Sequence, residues 1–597
     1  MPRKQQSGNM PKLMRFKPNR CRALTLIVVV MWAVSTPAEP ALPVVARHGI
    51  VVSVRELASQ AGIEIMKAGG NAVDAAVATG FALAVVYPQA GNLGGGGFML
   101  IHMNDGKTHF IDYREVAPAA ASANMYLDGQ GNVIEDASVV GYKAISVPGS
   151  VAGMVDAEKK YGKLTLQQVM APAIKLAREG FALTSVDARE MKNDKYLGQF
   201  PESRRIFQRN GDYYKQGEVF RQPELAKTLE RLAHDPDDFY DGAMARELAA
   251  SIQKGGGLIT ADDLARYQVK EREPVRGTYR GYEIIGAPPP SSGGTALIEI
   301  LNILEGYDLG KGGHRSAEDV HLTVEAFRRA YFDRAEFMGD SDFSKVPVAQ
   351  LIDKKYGAAW RASIDPRHAS NSKELKRPEI FSQLEQYALQ HPQLHESPHT
   401  THYSVVDPQG NAVSVTTTIN DSFGSRVTAE GLGFLLNDEM DDFASKPGAP
   451  NLYGLIQGPA NAIGPNKRPL SAMTPTIVLK DGKLFLVLGS PGGSKIITTV
   501  ANILMGVIDY GMNIQEAVDA PRFHNQWLPD VVNVEESFSP DIMKSLEKMG
   551  HHVEKGVTVG GEWEGHWSDG ECVAIDAKTG ERLGASDRRD LGKAVGY

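Results

Sequence analysis

The stretch His399-Thr400-Thr401-His402-Tyr403-Ser404-Val405-Val406-Asp407 runs through Pro408-Gln409-Gly410-Asn411 into Ala412-Val413-Ser414-Val415-Thr416-Thr417-Thr418-Ile419-Asn420. Two β-rich runs flank a turn containing Pro and Gly, so the segment reads as a hairpin. The chain before it, from about Asp365, is polar, carries Pro and His, and lacks apolar periodicity. It reads as an exposed linker, the kind of segment open to chain cleavage.

Within that linker His395-Glu396-Ser397-Pro398-His399 fits the H-E-x-x-H zinc pattern. The pattern works on a helix, where both His share a face. Pro398 disfavours helical backbone at Ser397, and the flanks have no helical period, so zinc is set aside. Thr400 supports other chemistry. A hydroxyl is a poor nucleophile until a base takes its proton. A cut between His399 and Thr400 would supply that base as the α-amine of Thr400, with an ordinary pKa of about 7.7–8.0. The same hydroxyl, attacking the preceding carbonyl, would make the cut. An ordinary Thr-rich hairpin remains the competing reading on these residues alone.

A formal net charge of −8, without a dense basic patch, argues against a nucleic-acid partner. Arg15, Lys17, Arg20 and Arg22 precede an uncharged apolar run over 23–34 and the small residues Ser35-Thr36-Pro37-Ala38. Residues 1–38 therefore read as a signal peptide, too short in its apolar part for a comfortable membrane span; an uncleaved anchor is the alternative. The expected location is periplasmic or secreted. Of two cysteines, Cys21 lies in this leader, which leaves Cys572 and excludes an intramolecular disulfide in the mature chain.

Apolar periodicity predicts helices over 57–67 and 72–85, broken by Gly69-Gly70-Asn71. Asn92-Leu93-Gly94-Gly95-Gly96-Gly97-Phe98 then leads into a strand. No Lys-Ser/Thr pair and no helix follow, so close backbone packing is expected in place of a phosphate cradle. Residues 108–115 read as a strand ending in charge, 151–161, 165–179, 225–234, 243–254, 295–304 and 320–337 as helices, and 275–279 with 282–285 as a hairpin. Beyond Thr400 strands dominate, at 403–406, 412–418, 476–479 and 484–488, with helices over 496–508 and 514–519. The absence of strict βαβ alternation favours α+β layers over a doubly wound parallel sheet. From composition alone Arg114 and Asp442 read as surface charges.

The segment Thr400 to Val405, with Gly410-Asn411, Val413 to Asn420 and Phe423-Gly424, resembles the signature of the γ-glutamyltranspeptidase (glutathione hydrolase) family. So do Asp112-Tyr113-Arg114-Glu115, Pro288 to Gly294, Asp333-Arg334, Asn437 to Phe443, Gly464 to Ser471 and Gly489 to Ser494. The resemblance spans nearly the whole mature chain. It implies an N-terminal-nucleophile hydrolase, an αββα sandwich of two stacked antiparallel sheets between helical layers. It also implies autocleavage at His399–Thr400 into a large subunit (39–399) and a small catalytic subunit (400–597) that stay associated.

The resemblance further implies a γ-glutamyltransferase and glutathione hydrolase acting through Thr400, with no metal or organic cofactor. Its partners are glutathione and other γ-glutamyl compounds, and amino acid or dipeptide acceptors. Arg114 would take the α-carboxylate of the γ-glutamyl group, with Ser471 adding a hydroxyl. Asp442, helped by Glu439 and Asn420, would take the α-ammonium. Gly492 and Gly493 would donate N–H groups to the oxyanion, and Thr418 would support the nucleophile. Tyr453, within Pro447 to Gly454, matches a lid residue. Two features depart from the pattern. Ala472 stands where many members have a second serine, and loss of one hydrogen bond costs about 0.5–1.5 kcal/mol. The stretch Gly560 to Asp569 is longer and more aromatic than in some bacterial relatives. The competing readings are a glutaryl or cephalosporin acylase on the same scaffold and a processed but inactive binding protein.

Overall fold

The computed structural model describes residues 41–378, 400–448, 451, 455–556, 558–559, 562–563 and 567–597. The expectations for the leader at 1–38, for the His395 to His399 run and for Tyr453 lie outside the described residues. In chain order the strands used here are β1 (Val44–Ala46), β2 (Ile50–Ser53), β3 (Gly96–His102), β4 (Thr108–Asp112), β5 (Lys270–Arg272), β6 (Val275–Tyr279), β7 (Tyr282–Gly286), β8 (Thr400–Val406), β9 (Ala412–Thr418), β10 (Thr476–Lys480), β11 (Lys483–Leu488), β12 (Glu571–Ile575), β13 (Arg582–Ser586) and β14 (Lys593–Gly596).

They form two seven-stranded sheets, ordered β14-β2-β8-β9-β3-β4-β5 and β1-β13-β12-β11-β10-β7-β6. All these neighbours pair antiparallel. Strand alternation sorts the side chains into three apolar layers. Val51, Met99, Tyr403, Val405, Val413 and Val415 pack on one side against helices α1 (Glu56–Lys67) and α2 (Ala72–Val86). Ile50, Val52, Phe98 and Leu100 face Ile285, Ile477, Val487 and Val573 of the second sheet. The second sheet turns Ile284, Val478, Leu486 and Cys572 outward to helices α3 (Gly293–Leu304), α4 (Ala317–Phe337) and α5 (Lys495–Ile508). The result is the αββα sandwich.

Local sequence explains why these elements sit where they do. Helix α2 is buried along its whole length, which its nearly all-apolar sequence permits. Asn71 starts it: its side chain accepts from Val73 N at 2.7 Å, while Asp74 accepts from Asn71 N at 2.7 Å. Such reciprocal caps contribute about 1 kcal/mol. In the hairpin, alternate hydroxyls of β8 and β9 point between the sheets. Ser404 Oγ donates to Glu571 O at 2.7 Å and Ser414 Oγ to Leu488 O at 3.1 Å. Each buried hydroxyl ties one sheet to the backbone of the other.

The glycine run does what close packing requires. A Cβ on Gly95 would lie 2.0 Å from Thr418 O, and one on Gly97 would lie 2.5 Å from Thr416 O. Both contacts are with β9 backbone, which cannot move without displacing Thr418. Among the described residues no helix is long and apolar enough to cross a membrane. We expect Gly95→Ala to lower stability by about 1–3 kcal/mol, the cost of overpacking a core. Gly129→Ala, with nothing within 4 Å of its new Cβ, should change it by less than about 0.5 kcal/mol. Thermal melts of both variants check this.

Candidate active site

Thr400 is the first residue of β8 and lies opposite Thr418, the last of β9. Its Oγ1 donates to Thr418 Oγ1 at 3.3 Å, and Thr418 Oγ1 also accepts from Asn420 N at 2.8 Å. Asn420 reaches back in this way because its φ is +74°, a left-handed conformation that Asn tolerates better than most residues. Its side-chain amide donates to Asp438, at 3.1 Å to Oδ2 and 3.2 Å to the carbonyl. Two residues along β8, His402 is fully buried between Thr416 Oγ1 (2.9 Å) and Ser404 Oγ (3.1 Å). Burial pushes its pKa down to about 3. It is a neutral, hydrogen-bonded strut beneath the threonine.

A small cavity, of about 20 Å³, gathers Arg114, Thr400, Thr418, Asn420, Glu439, Asp442, Ser471, Ala472 and Gly493. These candidates come from distant parts of the sequence and meet at one place. Arg334, Leu455, Met473 and Ile496 line it as well. Gly492 does not. Both glycines have positive φ, +120° and +54°, but a Cβ on Gly492 would lie 2.0 Å from Ser568 Oγ. Gly493 lines the cavity with Thr400, and Gly492 meets Ser568 of the C-terminal stretch. Helix α5 starts just beyond, with Lys495 N donating to Gly492 O at 2.9 Å, so the positive end of its dipole lies at this loop.

The surface-charge reading of Arg114 is wrong. Its side chain is 0% exposed. Its guanidinium binds Glu439 through Nη1 and Asp442 through Nη2, and Glu115 Oε2 lies 3.4 Å from Nη1. Nε and Nη2 donate to Pro469 O and Leu470 O, each at 3.3 Å. Burial alone would lower its pKa, but Glu439 and Asp442 more than offset this, and the group stays cationic. Burial in turn pushes Glu439 well above the usual carboxylate range and Glu115 up to about 7, against the pull of Arg114. Asp442 is also no free surface charge; its side chain is 13% exposed, and Asn451 Nδ2 lies 3.3 Å from Oδ1.

Sequence reasoning passed over Glu115, Asp438 and Arg334 as site residues. Each stood inside a quoted motif, but nothing local shows that Arg334 lines the cavity or that Glu115 and Asp438 hold Arg114 and Asn420. One possible metal-binding group occurs elsewhere among the described residues. His321, Glu325 and His551 are buried, with ligand atoms within 4.8 Å of one another. The two imidazoles already face each other at 2.7 Å, and Glu325 bonds Arg328 and Arg329. His321 Nε2 also bonds Asp365 O at 2.8 Å, so the group is largely taken up in a polar network, and none of its residues lines the cavity at Thr400.

The γ-glutamyltranspeptidase profile matches residues 58–597. The chain belongs to the γ-glutamyltranspeptidase family. It is a self-processing enzyme of the N-terminal-nucleophile class. It is 53% identical to a glutathione hydrolase proenzyme of Pseudomonas sp. (strain A14) over 85% of this chain and 87% of that one. It is 50% identical to the glutathione hydrolase proenzyme of Escherichia coli (strain K12) over 92% of both. Among solved structures, a cephalosporin acylase from Bacillus halodurans matches with a TM-score of 0.79 at 27% identity, covering 95% of this chain and 99% of that one. The αββα scaffold is thus common to transpeptidase and acylase, and selectivity lies in the cavity walls.

His402 gives this family member a testable acid limit. Its folded pKa of about 3 lies below its ordinary 6.5, so the unfolded chain binds the extra proton between these values. Stability from this group is complete above pH 6.5 and is lost as pH falls toward 3. Urea melts at pH 8 and pH 5 should differ by about 2 kcal/mol more in wild type than in His402→Gln.

Proposed function

We propose that Thr400 cuts its own chain and then acts as the nucleophile on γ-glutamyl amides. Its hydroxyl attacks the His399 carbonyl, and the resulting ester is hydrolysed. This leaves a large subunit of residues 39–399 and a small one of 400–597. The freed α-amine then accepts the hydroxyl proton as Oγ1 attacks the γ-carbonyl of a donor such as glutathione. The oxyanion is held by N–H groups of the Gly492-Gly493 loop, with the α5 dipole behind it. The C–N bond breaks, the leaving amine takes the proton, and a γ-glutamyl ester remains on Thr400. Water, or the amine of an amino acid or dipeptide, resolves it.

The observation that carries this reading is the single cavity that joins Thr400 to Arg114 and Asp442. A γ-glutamyl group presents a carboxylate and an ammonium on one carbon. Arg114 bound to Asp442 is the matching pair of opposite charges. A zwitterion inserted between them replaces one buried ion pair by two, which keeps every charge compensated. Ser471 adds a hydroxyl to the carboxylate side, and Glu439 and Asn420 serve the ammonium side. Thr418 orients the nucleophile. Tyr453 takes the part of the family's lid residue, and a site shielded from water lets an amine acceptor compete. The leader places the enzyme in the periplasm or outside the cell.

Ala472 and the acylase likeness define the second reading, a preference for glutaryl amides, which lack the α-ammonium. Two measurements separate the possibilities. Intact mass should give two fragments for wild type, the smaller starting at Thr400, and one uncut chain for Thr400→Ala. An active but uncut wild type sinks the mechanism. Processed enzyme should cleave γ-glutamyl-p-nitroanilide at least about tenfold faster than glutaryl-p-nitroanilide, the size of one lost charged contact; the reverse order makes it an acylase.

A further inference from the structure

Arg114 is not a free cation. Three carboxyl groups, Glu115, Glu439 and Asp442, already surround it. A substrate carboxylate that entered here would have to share the Arg114 guanidinium with these groups. The cavity wall holds a second arginine. Arg334, on α4, is 3% exposed. Its Nε donates to Ser292 Oγ at 2.9 Å, and its Nη1 is buried with no hydrogen-bond partner. No acid lies within ion-pair distance of it among the described residues. Asp442 shares the cavity with it without pairing directly, and a buried guanidinium held by no direct ion pair calls for a ligand.

Its position says which ligand. Ser292, to which Arg334 is tied, accepts nothing from Ser471 but donates to it twice: Oγ to Ser471 O at 2.7 Å and N to the same oxygen at 2.8 Å. Arg114 holds the neighbouring carbonyls of Pro469 and Leu470. The two arginines thus brace one short segment, Pro469 to Ser471, and both line the cavity beside Ala472. Ala472 offers no hydroxyl to a carboxylate, so this end of the cavity depends on charge.

We propose that Arg334 is a specificity-determining residue: with Arg114 it makes the α-carboxylate end of the cavity a two-cation site. This rests on the γ-glutamyl reading. It predicts that selection for the α-carboxylate collapses when the Arg334 charge is removed, while the acyl-transfer machinery survives.

The test compares γ-glutamyl-p-nitroanilide with 4-aminobutyryl-p-nitroanilide, which lacks only the α-carboxylate, in wild type, Arg334→Gln and Arg334→Lys. Wild-type preference for the first donor tests the γ-glutamyl reading by itself; equal use of both removes that reading and the proposal with it. Given that preference, Arg334→Gln should cut kcat/KM for the γ-glutamyl donor roughly tenfold or more, chiefly through KM, as expected for a lost charged contact. Its kcat/KM for the 4-aminobutyryl donor should stay within about threefold. Arg334→Lys should recover part of the ratio. A ratio unchanged from wild type in the variants, whether both donors fall together or neither does, overturns the proposal. If Arg334→Gln does not fold, Arg334→Lys decides by the same ratio, which Lys lowers because it lacks the guanidinium fork.

Discussion

The antiparallel register that sets Thr400 opposite Thr418 is the constraint on which the site depends. A slip of one residue in β8 would turn every side chain over. Thr400, His402 and Ser404 would then face the helices, and Tyr403 and Val405 the gap between the sheets. The register is pinned from several sides. Tyr403 and Val405 bury into the α2 layer. Ser404 and Ser414 bond the second sheet. Gly95, just before β3, and Gly97 within it approach β9 so closely that no other residue fits. Thr400 is placed by the packing of both sheets, not by its own loop.

Around that fixed point, the charged groups form a cluster that is stable only as a set. Arg114, Glu115, Glu439 and Asp442 would each be costly if buried alone. Together the guanidinium holds the carboxylates, and carbonyls from Pro469 and Leu470 take its remaining donors. Glu439 and Glu115, both raised by burial, limit how much negative charge the cluster carries. A site of this kind is preorganised for a ligand bearing both signs of charge, because the protein has already removed the surrounding water.

Much of the architecture was legible in the sequence, for identifiable reasons. Helix α2 was expected over 72–85 and spans Ala72–Val86, because its apolar run and its Asn cap are local signals. The β6–β7 and β8–β9 hairpins were legible for the same reason: their partners are neighbours in sequence. Strands β2, β12 and β14 were not anticipated. β2 and β14 are short and find their places only through partners far along the chain, β2 with β8 and β14, and β12, though it pairs locally with β13, carries no clear alternation. The site divides in the same way. Family motifs supplied the residue types, but composition read Arg114 as exposed. Its acid partners stand 325 and 328 residues away, and no local pattern reports that. Arg334 was passed over because it is a helical arginine in a motif whose role depends on which way the helix faces.

The order of strands in the sheets has one more consequence. In the first sheet β2, β3, β4 and β5 precede Thr400 in the chain, whereas β8, β9 and β14 follow it, and the two sets are interleaved. In the second, β1, β6 and β7 enclose β10 to β13 in the same manner. Two polypeptides produced by a break at that point would be woven through each other, with no surface along which they separate intact. Parting them means unravelling both sheets. Reassembly would then be a meeting of two unfolded molecules, dependent on concentration, where the precursor needed only its own connectivity. The fold is thus made once, from a continuous chain, and afterwards persists by its barrier to unfolding. Such a break would exchange the ability to refold for a free N-terminus at Thr400.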